Sequence, residues 1–323
     1  MALASEANSE RHLVKLLRQL GSEMGLEVRT SFTDWIVELK APDNRVVRIF
    51  GYDFGVNSSS SAEIVNDKCA TSYVLREAEI DCIDHQIVFR PDFLKFSAQK
   101  STYAHAVELF SRFDSDVVCK NNIGTGGTHV YRAQDVGSLE QAMARIFAVH
   151  YACAISPFVA IDKELRVIVV DGEPMATFSK RRPSVLGTGT ESVAQLIAAQ
   201  LPEVISSSRS IELTSQALTS VPLKGERIEL NWRHNLGQGA IPEFDLEQLL
   251  KERAHVIALR TVQALQLRAA SVDIVVTGGK MRVLEVNNGI MVENLAASGP
   301  KGNALARATY LRLIELALAR GSK

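Results

Sequence analysis

The end of the last apolar strand constrains this chain more than any other stretch of its sequence. The run MRVLEVNNGIMV, from Met281 to Val292, begins as a strand of Val and Leu, yet it carries Glu285 and Asn287. Residues two apart in a strand point to the same side, so these side chains offer two oxygen ligands on one face. Such oxygens suit a hard cation such as Mg²⁺. A strand end that frays into a turn is the commoner alternative, and the motif alone leaves both open.

The composition narrows the class of protein. The chain has 323 residues, of which 46% are hydrophobic and 23% charged, as expected for a globular protein of two or three lobes. A formal net charge of −1 argues against a broad basic surface for nucleic acid, and no apolar run is long enough to span a membrane. The start, MALASEANSERH, lacks the order of a signal peptide, and the four cysteines form no CxxC pair. We expect a cytoplasmic protein without a zinc site or a disulfide framework.

The hydrophobic patterns predict lobes of mixed α/β (α+β) structure. Leucines at helical spacing predict a first helix over Leu13–Leu20, two strands follow in DWIVELK and RVVRIF, and a helix is expected over Ala62–Ala78. A small α+β unit follows from about 101 to 157. A larger unit contains the hairpin ASVDIVVTGGKMRVLEVNN and ends in a helix from about Asn303. The predicted lobes are 1–95, 96–157 and 158–323.

A glycine-rich turn is the second stretch that could carry chemistry. In CKNNIGTGGTHV, Lys120 ends a strand and is followed by Gly124, Gly126 and Gly127. Glycine lets the backbone approach a phosphate closely, and the lysine adds a point charge. A plain glycine-rich β-turn is an equal alternative. Lys68, at the predicted start of a helix, could add a second charge, although a lysine there is usually solvated.

Two further stretches contain polar groups at strand ends or in loops. In DKELRVIVVDGEPMATFSKRRP, Glu164 and Arg166 share a strand face, and a basic cluster follows the partner strand. That cluster could hold an anionic reactant, or it could be a solvated edge. In NWRHNLGQGA, His234 and Asn235 lie in a loop, where His234 is better explained as structural than as a base. We find no GxSxG elbow and no HExxH spacing, so neither a serine hydrolase nor a zinc protease is indicated.

The order of these pieces resembles the ATP-grasp superfamily. The motifs NDKCATSYVLREAEI, VVCKNNIGTGG, ISPFVA, ELRVIVVDGEPMATFSKR, NLGQGA, SVDIVV and VLEVNN follow one another as they do in its carboxylate–amine ligases, such as cyanophycin synthetase, the glutamate ligase of a ribosomal protein and glutathione synthetase. The resemblance covers roughly 66–294. It implies an ATP-grasp fold, with the nucleotide held between two α+β lobes and a short N-terminal lobe in front.

The resemblance also implies a role for each candidate residue. The phosphates of ATP would be held by two lysines and covered by a glycine lid, namely Lys68, Lys120, Gly124, Gly126 and Gly127. The hinge and ribose contacts would be Phe158, Val159 and Glu164. Phosphate transfer would involve Arg166, Arg181 and Asn235. The Mg²⁺ ligands, with Mn²⁺ as an alternative ion, would be Asp273, Glu285 and Asn287. The chain departs from the family in having Asn121 where a proline is usual, and Ser156 near a hinge position that is usually acidic or Gln.

The function implied by the resemblance is ADP-forming ligation of a carboxylate to an amine through an acyl phosphate. The expected partners are small-molecule amino acids or peptides, with no nucleic acid and no membrane, and a homodimer is left open. Two alternatives remain. One is a nucleotide-binding scaffold or sensor without catalysis, and the other is a ligase that tailors a peptide or protein tail.

The metal assignment makes a prediction about the register of the last hairpin. A two-residue Gly-Gly turn would pair Thr277 with Lys280 and Asp273 with Leu284, so Glu285 would face away from Asp273. We therefore predict either a loop of odd length or a bulge between Asp273 and Glu285.

Overall fold

A computed structural model describes residues 10–124, 129–201, 211 and 213–320 of the chain. Within these ranges the strands form four sheets, and every pair of neighbouring strands is antiparallel. No helix among the same residues is long and apolar enough to cross a membrane. The mixed α/β architecture agrees with the fold class that the sequence predicts.

The first sheet and both ends of the described chain share one core. Helix α1 (His12–Glu23) buries the predicted leucine stripe, and three strands follow it: β1 (Glu27–Ser31), β2 (Ile36–Lys40) and β3 (Val46–Phe50). The sequence had indicated only the second and third strands. Leu13 and Leu17 pack in the same cluster as Phe178 of a later sheet and Tyr310 of the final helix. This sheet is therefore packed against the rest of the molecule.

The region predicted as one helix over Ala62–Ala78 forms two helices. Helix α2 (Ser59–Asn66) ends where α3 (Lys68–Glu77) begins, and Asp67 between them is extended, with φ −96° and ψ 111°. The Asp67 carboxylate accepts a hydrogen bond from the Ala70 N–H and so caps α3. Because Asp67 breaks the helix, Lys68 begins a new one.

A four-stranded sheet follows. Its elements are β4 (Gln86–Phe89), a 3₁₀ helix (Pro91–Phe96), α4 (Thr102–Arg112), β5 (Val117–Asn121), β6 (Val130–Ala133), α5 (Val136–Phe147) and β7 (Ala152–Pro157). The strand order is β4-β7-β5-β6. The two α-helices bury Leu109 and Met143 against one face of this sheet.

The remaining residues form the largest sheet and its attachments. In chain order they are β8 (Lys163–Val170), β9 (Glu173–Arg181), β10 (Ser184–Leu186), α6 (Val193–Gln200), α7 (Ser215–Thr219), β11 (Arg227–Glu229), a 3₁₀ helix (Leu236–Gln238), β12 (Ile241–Glu243), α8 (Gln248–Ala264), β13 (Ala269–Thr277), β14 (Lys280–Asn287), α9 (Glu293–Ala296) and α10 (Pro300–Arg320). Five strands pair in the order β12-β9-β8-β13-β14, while β10 and β11 form a separate pair. Helix α8 packs on one face of the large sheet, burying Ala254 and Ala258 among its apolar residues.

The hairpin β13–β14 confirms the register prediction through a bulge. Its turn is the two-residue Gly278-Gly279, with φ of 53° and 75°, so Thr277 does pair with Lys280. The register then shifts beside Asp273, which pairs with Glu285, while the next residue, Ile274, pairs with Val283. Leu284 is therefore the extra residue, and it returns Glu285 to the face of Asp273.

Candidate active site

A cleft of about 410 Å³ lies between the four-stranded and five-stranded sheets. It brings together most of the residues that the sequence singled out. Those that line it are Lys68, Lys120, Gly124, Phe158, Val159, Glu164, Arg166, Asn235, Asp273, Glu285 and Asn287. Arg181 is not among the lining residues, and Gly126 and Gly127 lie outside the residues that the structure describes.

Strand register accounts for the polar row on the large sheet. Arg166 of β8 pairs with Asp273 of β13, which pairs in turn with Glu285 of β14. Paired residues share a face, so the three side chains point into the cleft from neighbouring strands. Asn287, two residues after Glu285, pairs with Ser271 and keeps the same side. The opposite face of these strands is apolar and is covered by α8.

Asp273 is held by two cations at the centre of this row. The Arg166 guanidinium donates to both of its oxygens, from Nε to Oδ1 at 2.7 Å and from Nη2 to Oδ2 at 2.6 Å. Lys180 Nζ lies 3.1 Å from Oδ2. Burial alone would raise the pKa of the Asp273 carboxyl, but Arg166 and Lys180 outweigh it and lower that pKa to about 2. Asp273 is therefore an ionised carboxylate with both oxygens engaged.

Lys180, rather than Arg181, is the basic residue that β9 contributes to the cleft. Its side chain is 3% exposed and forms an ion pair with Glu164. Arg181 is the next residue, so strand alternation turns it to the other face, where its Nε donates to Glu243 Oε1 at 2.6 Å. Arg181 therefore lies outside the lining of the cleft, and its phosphate-transfer role remains a prediction. Burial raises the pKa of Glu164, although the nearby Lys180 opposes this shift.

The two predicted lysines enter the cleft from different elements, Lys68 from the start of α3 and Lys120 from β5 of the small sheet. Lys68 Nζ donates to the Gly124 carbonyl at 2.7 Å and lies 3.7 Å from Glu285 Oε1. Lys120 Nζ lies 3.4 Å from Nε2 of His85, a buried residue that the sequence patterns did not indicate. Gly124 has a φ of 130°, and a Cβ there would come within 2.9 Å of the Asn121 amide, so this position requires glycine. Lys68 is thus a cleft residue rather than a solvated charge.

The hinge end of the cleft is apolar and aromatic. Val118, Ile161, Val275 and Leu284 line it together with Phe158. The Phe158 N–H donates to the Asp116 carbonyl at 2.8 Å. Its ring meets Trp232 at a centroid distance of 5.8 Å and an angle of 68°. A flat apolar ligand group could lie in this slot, with backbone polar groups at its edge.

The loop before β12 crosses the cleft. Arg233 Nη2 donates to the Val130 carbonyl of the small sheet at 2.9 Å. Asn235 caps the short 3₁₀ helix by accepting from the Gly237 N–H at 2.8 Å. Burial, together with nearby Arg182 and Lys180, lowers the pKa of His234 to about 4, which fits the structural role that the sequence suggested for this ring. Arg233 also lines the cleft and connects this loop to the small sheet.

The donor set fits a hard divalent cation that arrives with a phosphate ligand. No group of three or more His, Cys, Asp or Glu side chains is arranged to hold a metal among the described residues. Glu285 and Asn287 nevertheless offer two oxygens on one face, and Mg²⁺ usually takes one or two carboxylates, waters and substrate phosphates. Asp273 could join them, although Arg166 donates to both of its oxygens.

The two facing sheets with a cleft between them agree with the ATP-grasp fold that the resemblance implied, and so does comparison with solved structures. The chain is similar to D-alanine–D-alanine ligase from Bacillus anthracis, with a TM-score of 0.54 and 18% identity over 82% of this chain and 70% of that one. It is also similar to a bifunctional glutathione synthetase from Pasteurella multocida, with a TM-score of 0.57 and 18% identity. That match covers 95% of this chain but only 45% of the glutathione synthetase.

The identities are low, so these likenesses establish the fold and no more. A third similar structure is the D-alanine–D-alanine ligase from Coxiella burnetii, with a TM-score of 0.50 and 15% identity over 96% of this chain and 79% of that one. One structure of the Bacillus anthracis enzyme is complexed with ATP. No family model and no curated protein matches the sequence.

Proposed function

We propose that the protein is an ATP-dependent, ADP-forming carboxylate–amine ligase. The observation that carries the proposal is the way the two sides of the cleft face each other. Lys120 enters from β5 of the small sheet and Lys68 from the start of α3, and both line the same cleft as Glu285 and Asn287 of the large sheet. Cations on one side and oxygen ligands on the other would clamp a polyphosphate and its metal between them.

ATP would lie with its base toward the hinge and its phosphates toward the lysines. The apolar slot beside Phe158 and Val159 suits adenine, although the Phe158 N–H already donates to Asp116, so Val159 is the better candidate for the backbone contact. Glu164 is committed to Lys180, which weakens its proposed contact with the ribose. In this arrangement, the lobes over 96–157 and 158–323 form the two walls of the nucleotide site.

Mg²⁺, or Mn²⁺ in its place, would be held by Glu285 and Asn287, with Asp273 as a further ligand if Arg166 turns toward a phosphate. The ion would neutralise charge on the phosphate oxygens. Lys68 already lies 3.7 Å from Glu285, so the lysine and the metal would act on the same phosphates from adjacent positions.

The residues of the chain support transfer of the terminal phosphoryl group to a carboxylate. Arg166, Lys180 and Arg233 line the cleft, and on turning from their present partners they would offer positive charge where the acyl phosphate would form. Asn235 lines the same cleft, in the loop that contains Arg233. An amine would then attack the acyl carbon, and phosphate would leave. Charge is redistributed on the phosphoryl oxygens during such transfer, so fixed cations at this point lower the barrier.

The substrates we propose are an amino acid or peptide carboxylate and an amine. This class is suggested by the similar structures, which are by name a D-alanine–D-alanine ligase and a glutathione synthetase. The alternative of a scaffold without catalysis is disfavoured, because Lys68, Lys120, Arg166, Glu285 and Asn287 are all present and all line one cleft.

The test is a phosphate-release assay with ATP and Mg²⁺ over pairs of amino acids and short peptides, with products identified by mass. Release of ADP and phosphate together with a product lighter by one water than its two substrates would support the proposal. ATP binding without turnover across the panel would favour the scaffold, and the absence of ATP binding would reject both. Lys120→Met is the matched negative control, since it keeps the length of the side chain and removes its charge.

A further inference from the structure

His85 is a buried residue beside Lys120 that the roles described so far do not use. It lies just before β4, its exposed fraction is 4%, and its ring Nε2 faces Lys120 Nζ at 3.4 Å. The other ring nitrogen, Nδ1, lies 3.1 Å from the Ile83 carbonyl oxygen. The ring therefore joins a backbone oxygen to the ammonium of a lysine in the candidate phosphate site.

These two contacts fix the tautomer of the ring. A carbonyl oxygen can only accept, so Nδ1 must carry the proton that it donates to Ile83. Nε2 is then left with a lone pair, and the Lys120 ammonium donates to it. Burial, together with the charges of Lys120 and Lys68, holds the pKa of the His85 ring well below its ordinary value, so the ring stays neutral and keeps this lone pair at pH 7.

The backbone of His85 is also tied to the elements that carry the other phosphate-site residues. Its N–H donates to Ser72 Oγ at 3.2 Å, and Ser72 belongs to α3, the helix that Lys68 begins. Two residues earlier, the Ile83 N–H donates to the Val283 carbonyl at 2.8 Å. Val283 lies on β14, the strand that carries Glu285. The segment from Ile83 to His85 is thus hydrogen-bonded to the helix that Lys68 begins, to Lys120 itself, and to the strand that carries the proposed metal ligands.

Lys120 needs such an acceptor because nearby carboxylates compete with the nucleotide phosphates for its ammonium group. Glu285 and Glu164 are the carboxylates that attract Lys120. A lysine drawn onto Glu285 would occupy an oxygen that the metal requires. A neutral imidazole can orient the ammonium without cancelling its charge, which leaves that charge for the phosphate.

We propose that His85 is a positioning residue that orients Lys120 toward the polyphosphate of the nucleotide and keeps it away from Glu285. The inference rests on the proposed function, since it assumes that Lys120 binds nucleotide phosphates. It goes further because it makes His85 partly responsible for selectivity. Through Lys120, His85 would favour a nucleotide with a polyphosphate over a nucleoside monophosphate without touching the nucleotide itself.

The experiment measures the binding of ATP, ADP and AMP with Mg²⁺ by calorimetry for the wild type, His85→Leu and His85→Gln. Leucine removes the acceptor, whereas the glutamine amide oxygen reaches about as far as Nε2 and can replace it. We expect His85→Leu to weaken ATP and ADP about tenfold, the loss of one oriented charged hydrogen bond. AMP should change by less than about twofold, and His85→Gln should restore most of the ATP affinity. His12→Gln, at an exposed histidine of α1, is the control for substitution as such.

The outcomes separate this inference from the proposed function. ATP binding that is equal in the wild type and His85→Leu overturns the positioning role and leaves the ligase proposal standing. Equal weakening of all three nucleotides, or no rescue by His85→Gln in a folded protein, means that His85 only supports the structure, and this also overturns the role. A wild type that binds no ATP overturns the proposed function and the positioning role with it.

A second readout needs no nucleotide. Nitrogen-15 NMR of the free protein at pH 7 should show the His85 ring protonated at Nδ1 and unprotonated at Nε2, with the Nε2 resonance assigned from the spectrum of His85→Gln. Lys120→Met should shift this resonance, because the hydrogen bond to it is lost. A ring protonated at Nε2, or a resonance that does not respond to Lys120→Met, would overturn the inference.

Discussion

Glu285 is the single side chain on which the proposed chemistry depends most. Glu285→Gln keeps the size of the side chain and removes a charge from a hard-cation site. We expect ligation to fall by roughly a hundredfold or more, with the fold unchanged, because the metal would lose its principal carboxylate. The measurement is steady-state turnover with circular dichroism as the check on folding. Glu140→Gln, at an exposed position of α5, is the matched control and should keep full activity. A Glu285→Gln enzyme with normal turnover would contradict the metal assignment.

Asp273 should make the stability of the protein depend on pH in the acid range. Its pKa in the folded protein is about 2, below the ordinary value of 3.8. A carboxyl with a lowered folded pKa stabilises the protein above its ordinary pKa, and this contribution is lost as the pH falls through the folded pKa. We therefore expect about 2 kcal/mol of the unfolding free energy to disappear between pH 5 and pH 2 on account of this one group.

Urea unfolding of the wild type and Asp273→Asn over this pH range checks the expectation. The variant should be less stable at pH 5 by roughly 3 kcal/mol, because Arg166 and Lys180 lose their shared partner. The difference between the two proteins should shrink as the pH falls toward 2. A difference that stays constant with pH would show that the carboxylate contributes nothing through its charge.

At the scale of residues, the sequence predicts the direction of a side chain well where a rule about short spacings applies. Glu285 and Asn287 share a face because they are two apart, and the structure keeps them so. Whether Lys180 or Arg181 points into the cleft depends on which residues of β9 share the cleft face. The sequence shows that neighbouring residues alternate, but a run of basic residues does not show which of them points inward. His85 could not be found in this way, since its role arises from a contact with Lys120, 35 positions away in the chain.

Among the elements, the bulged hairpin positions the metal ligands and can be tested by deletion. Removing Leu284 leaves Val283 opposite Ile274 and Glu285 opposite Asp273 in a regular ladder. The variant should therefore fold and keep its Mg²⁺ requirement, although Leu284 lines the cleft and its loss should raise the KM for ATP several-fold. Circular dichroism, thermal unfolding and a Mg²⁺ titration of the activity measure these effects.

The matched control is deletion of Val286, one residue from the same strand but beyond Glu285. This deletion would turn Asn287 toward the buried face that Val286 now occupies, and should destabilise the protein severely. If the Leu284 deletion unfolds as readily as the Val286 deletion, the register argument fails.

Local patterns predicted most helices and strands but missed the breaks between them. Lys68 was predicted at the start of a helix, but the continuous periodicity over Ala62–Ala78 did not show that a separate helix would end at Asn66, just before Asp67. At this break the Asn122 side-chain amide, 55 positions away in the chain, donates to Asp67 at 2.7 Å. The bulge at Leu284 was predictable only because a functional assignment required Asp273 and Glu285 to face each other.

At the scale of the whole molecule, packing between distant segments escapes any local pattern. Leu13 of α1, Phe178 of β9 and Tyr310 of α10 belong to one core, which joins both ends of the described chain to the large sheet. The boundary between lobes that the sequence predicts after residue 95 remains a prediction. The sequence could order the lobes through the succession of motifs, but it could not specify which of their faces would pack together.

The arrangement of charge across the whole cleft predicts how ATP is cleaved. Lys68, Lys120, Arg166 and the Glu285–Asn287 pair would surround the terminal phosphates, where charge moves when that phosphate is transferred. An adenylating ligase would need these groups around the first phosphate instead. We therefore expect ADP and phosphate, never AMP and pyrophosphate, once the true substrates are supplied.

Isotope labelling of the carboxylate follows the transfer directly. If a carboxylate oxygen attacks the terminal phosphorus, the bond between that phosphorus and ADP breaks and an acyl phosphate forms. Attack of the amine on the acyl carbon then breaks the carbon–oxygen bond, so the phosphate leaves with one carboxylate oxygen. With an ¹⁸O-labelled carboxylate, mass spectrometry should find one ¹⁸O in each inorganic phosphate and the other in the new amide. Phosphate without label would mean that water attacks ATP and no acyl phosphate forms. AMP as the stoichiometric product would reject the mechanism for this cleft altogether.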